Sequence, residues 1–296
     1  MGERPGIDIG QLAGLERIAQ KALRARAQNE SSRAAPGRLR RNGMDYAEHR
    51  PYGHGDDVRR IDWRTSQRLG QAYVRKFDAE ANADWMICLD RSASMSIDEG
   101  SKWQLAVQVA EAFAYLCLCT GQRFGLRVFS DNVDSACPLG RGHAHFATVA
   151  NLLTQCDVQN EGGASNIHKC ATGLRHGTAL IVISDFLSES GMTGELDYLT
   201  ATGSSAHLVQ ILSPRETQLP QAGVTAVRDI ETGLTVNIEP HTAETTAKRT
   251  LQWWQQDLAD TCTRQGIIFT SCHSDEVWRT VVIRHLESVL GEPRFH

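Results

Sequence analysis

The stretch best suited to chemistry in this chain is Asp90-Arg91-Ser92-Ala93-Ser94, which directly follows the apolar run 85–89. A short apolar run of this kind is typical of a buried strand, so one carboxylate and two hydroxyls are expected on the loop that leaves its carboxyl end. Ligands of open α/β sheets bind at that edge. Carboxylate and neutral oxygens are the donors that a hard divalent cation such as Mg²⁺ prefers. The sequence therefore predicts a metal-binding loop in preference to a catalytic pocket.

Two further loops offer oxygen atoms at comparable places. Ser165 lies in the segment Gly162–Asn166 ahead of a predicted helix, and Asp185 follows the β-branched run 179–183. Taken singly, Ser165 is also a plausible helix N-cap and Asp185 a turn cap. Three such loops in chain order favour one shared cation, held by serine hydroxyls and by carboxylates that bind directly or through water. Because few of these ligands are charged, a carboxylate of a partner protein is expected as a favourable last ligand. The predicted metal-binding residues are Asp90, Ser92, Ser94, Ser165 and Asp185.

The elements that must position these loops alternate along the chain. Strands that alternate with helices predict an α/β fold, a doubly wound and mostly parallel sheet with helices on both faces. We expect residues 1–78 to form an N-terminal helix, a linker and a charged segment, and residues 79–296 to form the sheet domain with a hairpin insertion near 224–238. The predicted strands cover 71–77, 85–89, 125–129, 179–183, 206–212 and 267–270, with an edge segment near 134–139. The predicted helices cover 102–119, 143–155, 167–176, 196–202, 242–264 and 275–290.

The amino-acid composition is typical of a globular protein and argues against several other classes of protein. The 296 residues are 41% hydrophobic and 22% charged, as in soluble globular proteins. Neither a signal peptide nor a membrane span is evident, so a cytoplasmic location is expected. The eight cysteines form no C-x-x-C pair and are expected to be structural thiols. Residues 1–76 hold 16 Lys and Arg against 9 Asp and Glu, a basic segment that also allows a weak nucleic-acid interpretation.

A dense block of opposite charges precedes the predicted sheet, in the sequence YGHGDDVRRIDWR. Arginine and carboxylate side chains in such a block form bidentate pairs that lock a loop. The block is therefore either a clasp that holds the front segment in place or a docking surface for a partner. The predicted partner-binding residues are Asp56, Asp57, Arg59, Asp62 and Trp63.

The motifs resemble those of known families. The pattern of Asp90-x-Ser92-x-Ser94 with Ser165 and Asp185 is similar to the metal-ion-dependent adhesion site of von Willebrand factor type A domains. The motifs Tyr46-x-Glu48-x-Arg50-x-Tyr52, Gly55-Asp56-Asp57-x-Arg59-x-Ile61-Asp62-Trp63 and Ser184-Asp185-Phe186 resemble the bacterial family called domain of unknown function fifty-eight.

That resemblance implies a von Willebrand factor A-like fold, a bound divalent cation and a protein partner. Members of the family are often encoded beside MoxR-type AAA+ ATPases, so the implied partners are such an ATPase and an unidentified client protein. Serine stands at position 165, where type A domains usually have threonine, and it keeps the hydroxyl. Many relatives carry N-terminal membrane helices, whereas an amphipathic helix is predicted here, so membrane attachment is not carried over.

Other functional classes fit less well. A phosphatase with Asp90 as its nucleophile needs a second acid two residues later to protonate the leaving group, and that position is Ser92. The chain also has no G-x-S-x-G elbow and no P-loop. We therefore expect a non-enzymatic, metal-dependent protein-interaction module, with the phosphatase and the nucleic-acid-binding protein as alternatives.

Overall fold

The computed structural model describes residues 7, 12, 15, 48–51, 73–76, 84–158, 165–187, 192–201, 205–217, 225–228, 235–238 and 240–290. The chain divides into two compact units. One comprises Met1–Ala22 with Asp84–His296, and the other is Leu23–Ala83. The domain boundary predicted near residue 78 stays a prediction.

The strands and helices are numbered in chain order. The strands are β1 (Glu48–Pro51), β2 (Tyr73–Lys76), β3 (Asp84–Asp90), β4 (Arg123–Phe129), β5 (Val133–Gly140), β6 (Ala179–Ser184), β7 (Ala206–Leu212), β8 (Thr225–Arg228), β9 (Thr235–Ile238) and β10 (Ile268–His273). The helices are α1 (Ser101–Cys119), α2 (His143–Gln155), α3 (His168–Ala171), α4 (Thr193–Ala201), α5 (Pro214–Thr217), α6 (Pro240–Gln265) and α7 (Trp278–Leu290), and Ala93–Ser96 forms a 3₁₀ turn.

The main sheet has six strands in the order β10-β7-β6-β3-β4-β5. Its strands pair in parallel except for β5, which runs antiparallel to β4 at one edge. The chain leaves β3 toward β4 and later returns to place β6 on the other side of β3. The order therefore reverses between β3 and β6, and a crevice for ligands is expected at their carboxyl ends. The predicted α/β, mostly parallel sheet is confirmed.

Both faces of the central strands are buried, and this explains why these strands are mostly apolar. In β3, Ile87 and Leu89 belong to one core layer, together with residues of α1, α2 and α7. Met86 and Cys88 point to the opposite layer, which contains residues of α3, α4 and α6. The alternation follows from the two-residue period of a strand. Helices thus cover the two faces of the sheet, as predicted.

The N-terminal residues that the structure describes belong to the first of these layers. Leu12 and Leu15 are helical and fully buried, consistent with the predicted amphipathic helix. The backbone N–H of Ile7 donates to Oε2 of Glu111 in α1 at 2.8 Å. Burial raises the pKa of Glu111, and this hydrogen bond opposes the rise.

Two antiparallel strand pairs lie outside the main sheet: β1 with β2, and β8 with β9. The second pair is the predicted hairpin. The predicted helix 167–176 is wrong beyond Ala171, because α3 ends there and Gly173 adopts a positive φ of 71°. Arg127 Nη1 donates to the carbonyl oxygens of Cys170 at 2.7 Å and Thr172 at 2.8 Å, which satisfies acceptors that a longer helix would have paired internally. All eight cysteines are free thiols, and all but Cys119 are buried.

Candidate functional site

Asp90 is the last residue of β3 and is fully buried at the crevice between β3 and β6. Its Oδ1 accepts a hydrogen bond from the backbone N–H of Ser92 at 2.8 Å. Its Oδ2 accepts one from Ser184 Oγ, at the end of β6, at 2.6 Å. The register of parallel strands brings both strand ends to one edge of the sheet, and Ser184 ties them together. Sequence reasoning quoted Ser184 only as part of a motif and gave it no role.

The two serines of the first loop face each other. The 3₁₀ turn over Ala93–Ser96 folds the chain back on itself directly after Ser92. As a result Ser92 Oγ and Ser94 Oγ lie 3.1 Å apart, and both residues are buried. Two hydroxyls that converge next to a buried carboxylate form the donor pattern that the sequence predicts for this loop.

The loop before α3 lies at the same edge of the sheet. The backbone N–H of Asn166 donates to the carbonyl oxygen of Ser130, directly after β4, at 3.0 Å. The hydroxyl of Ser165 is near enough to Asp90 to lower the pKa of its carboxyl. Yet within the described ranges the buried Oγ of Ser165 and the buried Oδ1 of Asn166 meet no partner at hydrogen-bonding geometry. Buried polar atoms normally have a partner, so these oxygens are a sign of a site.

Glu195, in the first turn of α4, supports this loop. Its carboxylate accepts a hydrogen bond from the backbone N–H of Ile167, two residues after Ser165, and it interacts electrostatically with Asp90. Burial raises the pKa of Glu195, and one of its oxygens, Oε2, is buried without a partner among the residues described here. Sequence reasoning missed Glu195, because nothing local distinguishes a glutamate in a first helical turn from an ordinary one.

Asp185 directly follows β6 and is buried. Its negative charge raises the pKa of Asp90, so the two carboxylates are electrostatic neighbours. Asp185 already has three contacts of its own. Oδ1 accepts from the backbone N–H of Leu187 at 3.2 Å, the backbone carbonyl accepts from Gln210 Nε2 at 2.9 Å, and Oδ2 binds the ammonium group of Lys102 at 2.8 Å.

Lys102 is the main functional candidate that sequence reasoning missed. It lies in the first turn of α1, is fully buried, and its Nζ contacts Asp185 Oδ2 at 2.8 Å and Glu216 Oε1 of α5 at 2.9 Å. A local signal does exist. Lys102 precedes the buried residues Leu105 and Ala106 by three and four positions, so it occupies the buried face of its helix. A charged residue there is expected to have a charged partner.

Burial and charge act together on the ionisable groups of this edge. Burial raises the pKa of Asp90, and the charge of Asp185 adds to the rise, while the nearby hydroxyls of Ser165 and Ser184 and the backbone N–H of Ser92 oppose it. Burial lowers the pKa of Lys102, but Asp185 and Glu216 outweigh burial, and the pKa is raised. For Glu216, burial raises the pKa although Lys102 opposes the rise. Lys102 is therefore held firmly in its charged form.

Strained backbone surrounds the same edge. Within the ranges that the structure describes, the non-glycine residues with positive φ are Asp98 at 66°, Glu99 at 57° and Phe186 at 53°. Asp98 and Glu99 lie between the first loop and α1, and Phe186 follows Asp185. Such conformations persist where surrounding contacts impose them, and they concentrate at binding sites. One of these contacts joins Ser213 Oγ to Asp98 Oδ2 at 2.9 Å.

The donors of this edge match a hard cation and not a soft one. They are one buried carboxylate and three hydroxyls, from Asp90, Ser92, Ser94 and Ser165, with Asp185 engaged by Lys102. Among the described residues there is no group of three or more His, Cys, Asp or Glu side chains arranged to hold a metal. Oxygen donors with a low total charge suit Mg²⁺ with water or a partner completing its shell. A cation would explain why the Ser165 hydroxyl has no partner in the part of the chain that the structure describes.

Comparison with known proteins places the chain in a family. Residues 48–253 match the family described as "Protein of unknown function DUF58". The chain belongs to this family. Uncharacterized proteins of Mycobacterium tuberculosis and Mycobacterium bovis are each 27% identical to it over 255 residues, which cover 83% of this chain and 80% of theirs.

Two solved structures share similarity with this DUF58 chain at a lower level. The conserved hypothetical protein BatB from Bacteroides thetaiotaomicron is 13% identical, with a TM-score of 0.40, over 71% of this chain and 100% of that one. An aerotolerance-related membrane protein from Bacteroides fragilis is 13% identical, with a TM-score of 0.41, over 69% of this chain and 98% of that one. In the part of this chain that the structure describes, no helix has the length and apolar character to cross a membrane.

The second predicted site lies outside the described residues. Its members, all within the charged block that precedes the sheet, are Asp56, Asp57, Arg59, Asp62 and Trp63. Whether the block of this DUF58 chain is a clasp or a docking surface therefore stays a prediction.

Proposed function

We propose that this chain is a non-enzymatic protein-interaction module that depends on a divalent cation, most naturally Mg²⁺, and works with a MoxR-type AAA+ ATPase on a client protein. The observation that carries the proposal is the buried hydroxyl of Ser165, which has no hydrogen-bond partner among the described residues and lies beside the buried carboxylate of Asp90. Asp90, Ser92, Ser94 and Ser165 would hold the ion. When bound, the ion supplies an open coordination position for an oxygen atom of the partner.

The surroundings of Asp90 favour binding over nucleophilic catalysis. A nucleophilic carboxylate must reach its substrate, whereas Asp90 is 0% exposed. Each of its oxygens already accepts a short hydrogen bond, one from Ser92 and one from Ser184. Ser92 also stands where a phosphatase would need its general acid. These features support an interaction module over the phosphatase alternative.

The cation is tested by calorimetric titration of the purified protein with Mg²⁺ and Mn²⁺. Asp90→Asn keeps the size of the side chain and removes its charge, so we expect Mg²⁺ affinity to fall at least tenfold while circular dichroism stays unchanged. Asp257→Ala removes an exposed carboxylate on α6 and is the matched control, with unchanged affinity. Wild-type protein that binds neither ion at millimolar concentration, or an Asp90→Asn variant of wild-type affinity, would refute the proposed site.

The partner is tested by co-purification of the tagged chain with a purified MoxR-type ATPase, in Mg²⁺ and in EDTA. The ATPase itself binds Mg²⁺ with nucleotide, so the informative comparison is between wild type and Ser92→Ala/Ser94→Ala, both in Mg²⁺. We expect recovery of the ATPase to fall with the double variant. Equal recovery would show that the metal site is not the contact. Loss with Asp56→Ala and an intact metal site would assign the contact to the charged block instead.

A further inference from the structure

Lys102 places a buried positive charge beside the candidate metal site. The side chain is 0% exposed, and its Nζ bridges Asp185 Oδ2 at 2.8 Å and Glu216 Oε1 at 2.9 Å. Taking an ammonium group out of water is costly unless it is paired, and here two carboxylates from distant parts of the chain pair with it. Glu216 is fixed in turn, because its Oε2 accepts a hydrogen bond from the backbone N–H of Ser213 at 2.6 Å.

This arrangement divides the carboxylates of the site into two groups. Asp185 and Glu216 are paired with Lys102, whereas among the described residues Asp90 receives hydrogen bonds only from neutral donors, Ser92 and Ser184. A divalent cation held by Asp90, Ser92, Ser94 and Ser165 would thus have one negatively charged ligand, Asp90. Such an ion keeps net positive charge, which favours an acidic ligand from outside.

We propose that Lys102 is a positioning residue that sets the charge of the metal site: it holds Asp185 away from the cation and so limits the affinity of the site for Mg²⁺. The inference deepens the proposed function and rests on it. Lys102 acts through Asp185 and does not touch the ion. Its role is distinct from simple stabilisation, because a purely structural ion pair has no reason to limit the affinity for Mg²⁺.

The test is the affinity for Mg²⁺ alone in Lys102→Met. Removing the ammonium group frees Asp185, and with it Glu216, so two uncompensated carboxylates become available to the cation. We expect the affinity for Mg²⁺ to rise about tenfold or more above wild type, and the thermal stabilisation by Mg²⁺ to grow with it. Lys248→Met removes an exposed lysine of α6 and is the control, with wild-type affinity.

Each outcome of this test is decisive. Unchanged or weaker Mg²⁺ affinity in a folded Lys102→Met variant would overturn the inference. If the metal-free variant is unfolded, Mg²⁺ must restore its circular dichroism spectrum, because the ion replaces the missing positive charge; failure to restore it would equally overturn the inference. Lys102→Met/Glu216→Gln, in which only Asp185 is released, should show a smaller gain in the same direction, and no gain contradicts the role of Asp185.

The same titrations separate this inference from the proposed function. If the wild type binds Mg²⁺ and Lys102→Met binds it no more tightly, the metal-dependent module is supported and the proposed role of Lys102 is refuted. If Lys102→Met binds Mg²⁺ but the wild type does not, the metal-dependent module is refuted. In that case the ammonium group of Lys102 is the resident cation of the site.

Discussion

At the scale of single residues, the buried carboxyl of Asp90 depends on Ser184. The Ser184 hydroxyl donates to Asp90 Oδ2 at 2.6 Å and accepts from the backbone N–H of Phe186 at 3.1 Å. It thus connects the end of β3 with the turn that presents Asp185. The motif around Ser184 is visible in the sequence, but its partner is 94 residues away, and only the pairing of β3 with β6 brings the two together.

Ser184→Ala is expected to destabilise the fold by about 1–3 kcal/mol, because it leaves a buried carboxylate oxygen and a buried backbone N–H without their partner. Urea unfolding followed by circular dichroism measures the change. Thr148→Ala on α2 is the control, because it removes an exposed hydroxyl that donates to the carbonyl oxygen of Ala144. Its unfolding free energy should stay within about 0.5 kcal/mol of the wild-type value. Equal losses of unfolding free energy in the two variants would contradict this role of Ser184.

At the scale of elements, α7 packs on the sheet through a buried histidine. His285 lies between His207 of β7 and Thr270 of β10. Its Nε2 is 3.0 Å from His207 Nδ1, and its Nδ1 is 3.0 Å from Thr270 Oγ1. Its ring also meets the Phe113 ring of α1 edge-on, at 5.3 Å between centroids. Burial lowers the pKa of His285 to about 4. The helix–sheet contact therefore requires a neutral imidazole.

This requirement makes the packing of α7 sensitive to acid. In the unfolded chain a histidine binds a proton near pH 6.5, whereas folded His285 does so only at about 4. Between these values the unfolded state binds more protons, so the contribution of His285 to stability is complete above about pH 6.5 and falls as the pH drops toward 4. The buried carboxyls with raised pKa, among them Asp90 and Glu216, act in the opposite direction.

Comparing the pH dependence of stability in wild type and His285→Gln separates the effect of the histidine from that of the carboxyls, because the carboxyls are present in both proteins. From pH 7 to pH 5 the wild type should lose about 2 kcal/mol more unfolding free energy than the variant. Urea unfolding at the two pH values provides the measurement. A variant with the same pH dependence as wild type would show that His285 does not titrate in this range.

At the scale of the whole molecule, residues from the start of the chain complete the core of the larger unit. Leu12 and Leu15 are fully buried in the layer that contains α1 and α7, and Ile7 bonds to Glu111 across 104 residues of sequence. Apolar spacing predicts the N-terminal helix, but not which surface covers it. That choice is made by the tertiary structure, which packs these residues into the layer of α1 and α7.

Leu15→Ala should cost about 2–5 kcal/mol, the usual range for a buried leucine, because it removes methyl groups from a packed layer and leaves a cavity. Val277→Ala is the matched control, since Val277 is 64% exposed, and should change stability by less than about 0.5 kcal/mol. Thermal unfolding of the full chain distinguishes the two. A Leu15→Ala variant as stable as the control would mean that the N-terminal helix does not contribute to this core.

The sequence by itself determined the α/β architecture, because the periodicities of strands and helices are local properties. It also determined that Asp90 and Asp185 lie at strand ends, because each residue follows an apolar run. Only the tertiary structure decided that Lys102 engages Asp185. The two residues are 83 positions apart, and Glu216 lies 114 positions from Lys102. Which charges meet in a buried crevice depends on strand order and helix packing, and these arise from the chain as a whole.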